Sequence, residues 1–143
     1  MEATVKLCAQ IITLTIWIGI GVAMIVMGAL YKNDCPIQPY IPIFLLVSGA
    51  THLVTFFIMF LRLVCQTIIM IFESFVGIFS FVWFIVGSVW VFRVYNDYVG
   101  QCNPDLYLFA FGILLFEYVV IGLAMVGSCC CAITRNVVYE TLE

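Results

Sequence analysis

The sequence predicts an all-α integral membrane protein: a four-transmembrane-helix antiparallel bundle built from two hairpins, both termini cytosolic. Three observations carry the expectation. Hydrophobic residues make up 66% of the 143-residue chain and charged residues 9%, against roughly a quarter charged in soluble domains. So few charges cannot cover a water-facing surface, and a bilayer is the solvent that fits. The charges also fall between four apolar windows, 6–32, 34–62, 62–93 and 105–135, which contain only His52, Glu73 and Glu117 as ionisable groups. Each window holds the ~20 apolar residues a spanning helix needs. Finally, two polar breaks, 34–42 and 95–105, each contain a cysteine and proline and would share one face of the membrane. At this length the chain is one domain, residues 1–143, with helices near 8–30, 41–62, 67–92 and 106–131.

The first segment follows a short N-terminal tail and is read as a retained signal anchor. Its apolar run exceeds the ~7–15 residues of a signal-peptide core, and no cleavage site precedes the next charge. Gln10, Leu14, Trp17, Gly21 and Gly28 recur on one helical face. Small residues there would let a neighbouring backbone approach closely. The break after it places Pro36, Pro39 and Pro42 within seven residues, which stiffens the loop. Pro42 falls in the first turn of the second helix, where its missing N–H does no harm.

The second helix carries Ser48, His52, Thr55, Met59 and Arg62 as a polar stripe. A tight turn at 63–66 would make the second and third helices antiparallel neighbours. The third repeats the pattern with Gln66, Glu73, Gly77, Ser80 and Gly87, and the fourth with Ala110, Leu114, Glu117, Ile121, Ala124 and Ser128. In lipid such small or polar faces turn inward, because the bilayer accepts leucine but not glutamate. Gly21, Gly28, Gly77 and Gly87 are the expected helix-contact residues. The tail, 134–143, is short and polar, and Tyr139-Glu140-Thr141-Leu142 has the pattern of a tyrosine-based sorting signal.

Lys6, Arg62 and Arg135 would share one side and Lys32 and Arg93 the other, a small positive-inside bias towards cytosolic termini. The seven cysteines say more. Cys35 and Cys102 fall in the two breaks and, on the oxidising side, would form a disulfide joining the hairpins. The other reading is that they are merely small apolar residues. Cys8, Cys65 and the run Cys129-Cys130-Cys131 would face the reducing side, and that run suits S-palmitoylation. Consecutive cysteines do not close a tetrahedral metal site, and no Cys-x-x-Cys pair occurs. Neither metal nor cofactor is expected. The net charge of −3, with no basic run, sets nucleic acid aside.

His52, Glu73 and Glu117 are the candidates for intramembrane chemistry, since a charge at the bilayer centre costs ~2.5–3.5 kcal/mol on insertion scales. At 1.5 Å per residue His52 and Glu117 each lie about 16 Å from the loop-side end of their helix. One reading is a proton or ion path through Glu117, His52 and Glu73. The other is a His52–Glu117 hydrogen bond with an Arg62–Glu73 pair that fixes helix register. No phosphate-binding glycine loop or activated nucleophile is evident, so an enzyme is not expected.

The stretch Asp34-Cys35-Pro36-x-Gln38-Pro39-Tyr40-Ile41-Pro42-Ile43-Phe44-Leu45-x-Val47-x-Gly49 resembles the transmembrane protein 272 family, as does Cys102 followed by 106–111. The resemblance implies a small four-span membrane protein and brings no activity, ligand or functional residue with it. Residues and resemblance together point to a non-enzymatic multi-pass protein in the plasma membrane or a secretory-pathway membrane. Its partners would be the lipid bilayer and itself or another membrane protein, with no small-molecule substrate. The alternative is an oligomeric channel or proton-coupled conduit.

Overall fold

The computed structural model describes residues 1–62 and 64–142. Among them are four helices: α1, Glu2–Leu30; α2, Tyr40–Leu61; α3, Gln66–Arg93; and α4, Pro104–Leu142. Each is long and apolar enough to cross a membrane. In hydrocarbon every backbone N–H and C=O must be satisfied within the segment, which a helix achieves. That is why β-branched residues and glycines, poor helix formers in water, stay helical here. The chain divides into two compact units, Met1–Ala110 and Phe111–Glu143.

Two helices run further than the apolar pattern predicts. α1 starts at Glu2 rather than near residue 8, with the Val5 N–H donating to the Met1 carbonyl. α4 continues to Leu142 rather than ending near 131, so the expected polar tail is helical. Hydropathy marks where lipid ends, not where hydrogen bonding ends. After Gly127 no glycine or proline occurs before the end of the chain, and nothing breaks the ladder. The tight turn expected at 63–66 includes Leu63, outside the described residues. Beside it the Val64 and Cys65 N–H groups both donate to the Leu61 carbonyl, at 2.9 and 3.3 Å.

Within the first unit, α1 packs on α2 and α2 on α3. The buried residues gather towards the end that carries the loops 31–39 and 94–103. They include Met24 on α1, Ile41, Phe44 and Leu45 on α2, Val91 on α3, and Leu106 and Tyr107 at the start of α4. Trp83 donates its indole N–H to the Phe44 carbonyl at 3.3 Å. Tyr40 stacks on Trp90 at 5.1 Å, and Trp83 meets Trp90 edge-on. At the opposite end the first sixteen residues of the chain are exposed, as is most of the first half of α3.

Candidate functional site

The loops are tied into a cap, and the first tie is covalent. Cys35 and Cys102 form a disulfide across 67 residues, and both are buried. The expectation of a bonded pair over two small apolar residues therefore holds. Beside it the Asn103 N–H donates to the Asp34 carbonyl at 2.8 Å. Gly100 has φ +78°, the left-handed conformation a turn needs at its third residue and that side chains resist. The turn closes with the Gln101 N–H on the Tyr98 carbonyl, 3.1 Å, and aims Cys102 back towards the first loop.

Asn103 also starts α4. Its Oδ1 accepts from the Asp105 N–H at 2.9 Å and the Leu106 N–H at 3.4 Å, as an N-cap does, with proline following at the first helical position. One turn on, the buried Tyr107 hydroxyl donates to the Val91 carbonyl at 2.9 Å, and its ring stacks on Tyr98 at 4.0 Å. The start of α4 is thus pinned to the end of α3. None of Asn103, Tyr107 or Gly100 stands out by periodicity, because each acts through the loop or cap it occupies.

Three of the four expected contact glycines face neighbours. A Cβ added at Gly21 would lie 3.4 Å from the Gly49 carbonyl oxygen. At Gly28 it would lie 2.7 Å from the Pro42 carbonyl oxygen and 2.8 Å from Leu46 Cγ. At Gly87 it would overlap the Phe44 ring. Gly49 belongs with them: a Cβ there would be 2.6 Å from the Gly21 carbonyl oxygen. Nothing in the α2 sequence itself marks this, since the signal lies in the partner helix. Gly77 departs from the expectation, because a Cβ there meets nothing within 4 Å. It instead lines a groove of about 150 Å³ with Thr55, Ile58, Glu73, Val76 and Ser80. Helices α2 and α3 do not close over it at that end, so the space a side chain would fill at Gly77 is open.

Of the polar groups, Arg62 and Glu73 are brought together, Nη1 to Oε2 at 3.6 Å, with side chains 48% and 27% exposed. His52 is half-buried and stacks on Trp17 at 5.5 Å between centroids. The hydroxyls of Thr55 and Ser80, which line the groove, donate to carbonyls four residues back, so they present little polarity to it. Glu117, half-buried, and Cys129, Cys130 and Cys131, exposed, lie in the second unit. Among the described residues no group of three or more His, Cys, Asp or Glu side chains is placed to hold a metal.

The chain is similar to Transmembrane protein 272 of Homo sapiens, 27% identical over 151 aligned positions that cover 84% of this chain and 81% of the relative. The likeness supports the resemblance carried by the Asp34–Gly49 stretch and the segment after Cys102. No protein-family model matches the chain, and no solved structure matches it. With four apolar helices, this is an integral, multi-pass membrane protein.

Proposed function

We propose that this multi-pass relative of Transmembrane protein 272 is a non-enzymatic tetraspan that works through lateral helix contacts, with itself or with another membrane protein. The observation that carries the reading is the uneven closure of the first unit. The loop end is sealed by a disulfide, by aromatic stacks and by glycines at Gly21, Gly28, Gly49 and Gly87. At the other end, Gly77 and the groove around it are open. A small residue on an open face admits a partner backbone in lipid, where close packing rather than the hydrophobic effect drives association.

The register of Gly28 on Pro42 and Leu46, and of Gly21 on Gly49, fits antiparallel α1 and α2, as the first of two hairpins requires, and the Lys6, Arg62 and Arg135 bias supports cytosolic termini. The Arg62–Glu73 pair supports a structural use of Glu73. The conduit through Glu117, His52 and Glu73 keeps a distinct signature: a pH-dependent flux in liposomes that Glu117→Gln removes.

The test of lateral contact is association in native-like membranes, read by cross-linking and by native mass in mild detergent. Gly77→Leu should abolish the multimer or the partner while the Cys35–Cys102 disulfide still forms. An association unchanged in Gly77→Leu would remove this face from the reading, and a monomer with no captured partner would remove the reading itself.

A further inference from the structure

We propose that Cys129, Cys130 and Cys131 are sites of S-acylation by a long-chain acyl thioester, and that Cys8 and Cys65 stay free thiols. The proposal rests on the sidedness inferred above.

The first argument is depth. α4 is one unbroken helix from Pro104 past these cysteines. At 1.5 Å per residue they lie about 37–41 Å along it, beyond a hydrocarbon core of ~30 Å and within the inner headgroup layer. Arg135 follows one turn further on, as a cation at that level does.

The second argument is direction. Cα–Cβ bonds in a helix tilt towards its N-terminus. α4 runs from the loop end inward, so its thiols lean back towards the hydrocarbon. α1 runs the other way, so the Cys8 thiol leans away from the bilayer. Cys65 is the N-cap of α3, which also runs outward.

The third argument is access. All three thiols are exposed. Consecutive helical positions step by about 100°, so the three sweep over half the circumference. At least one therefore faces lipid whichever way α4 is turned. Above Cys131 on its own face lie Ser128, Gly127 and Ala124, a lane of small side chains along which an acyl chain can lie. A Cβ at Gly127 would meet nothing within 4 Å.

The chemistry is acyl transfer without redox change. The cysteine thiol gives its proton to a base, and its sulfur attacks the thioester carbonyl. The carbon–sulfur bond to the carrier breaks, a new thioester forms, and the carrier leaves as a thiol after protonation.

The experiment feeds cells an alkyne-bearing long-chain fatty acid and isolates the full chain carrying a C-terminal tag. Label should appear, leave on neutral hydroxylamine, be lost in C129S/C130S/C131S and persist in C8S/C65S. Retained Cys35–Cys102 disulfide shows that each variant folds, and peptide mass mapping of the unmutated chain places the thioester independently of any variant. Label that survives the triple substitution, or free thiols at 129–131 in the unmutated chain while its tag is cytosolic, overturns acylation alone. A tag exposed on the outside of intact cells overturns both acylation and the sidedness it rests on.

Discussion

A missing side chain matters most where a neighbour occupies the space it would fill. At Gly28 the space is taken by the Pro42 carbonyl and Leu46, and at Gly87 by the Phe44 ring. Side chains forced into packed sites cost about 1–3 kcal/mol. Gly28→Leu and Gly87→Leu should therefore each lower the free energy of unfolding in SDS by an amount in that range. Gly77→Leu, with open space around its Cβ position, should leave that free energy within about 0.5 kcal/mol of the unmutated chain, as uncrowded substitutions do. Equal losses at all three positions would contradict the contacts described. Tyr107→Phe removes the hydroxyl that Val91 accepts, and a buried carbonyl left without a partner costs about 1–3 kcal/mol. The same unfolding assay should register it.

Pairing between elements is weaker than packing. Arg62 and Glu73 lie on α2's C-cap and the second turn of α3, and both are partly exposed. Exposed ion pairs contribute about 0.2–1 kcal/mol, and polar bonds between membrane helices average ~0.6 kcal/mol. A double-mutant cycle with Arg62→Gln and Glu73→Gln should return a coupling energy below about 1 kcal/mol. A larger coupling would mean that the pair is buried by something beyond α2 and α3. The groove beside it, reaching from Thr55 to Ser80, is where a lateral partner would cover it.

The longest-range covalent tie described is the disulfide, which joins segments 67 residues apart in sequence. In chain-entropy terms such a closure is worth up to about 4 kcal/mol, and less where the bilayer already confines the unfolded chain. Cys35→Ser should lower the SDS-unfolding midpoint accordingly and leave Cys102 open to alkylation. A Cys102 that stays unreactive in that variant would show that the Asn103–Asp34 bond and the aromatic packing hold the cap alone. The proposed pair of hairpins would place both termini on one side. Tags at either end should be reached by antibody only after permeabilisation, and a split result would end the four-span reading.

Legible in the sequence were the apolar solvent, four segments long enough to cross it, the two loops and a candidate bond between Cys35 and Cys102, which the fold then closes. Those follow from composition and spacing, which need no neighbour. A small residue on a helical face is likewise a local pattern, and Gly21, Gly28 and Gly87 lie where an added Cβ would meet a neighbouring helix. That Gly49 meets a neighbour and Gly77 does not emerges from the packed helices, because contact depends on where the facing helix runs. The cap at Asn103, the Tyr107–Val91 hydrogen bond and the helical extension of α4 to Leu142 were hidden for a related reason. Hydropathy reports what a segment dissolves in, whereas hydrogen bonds and steric fit are settled between particular atoms brought together by the fold.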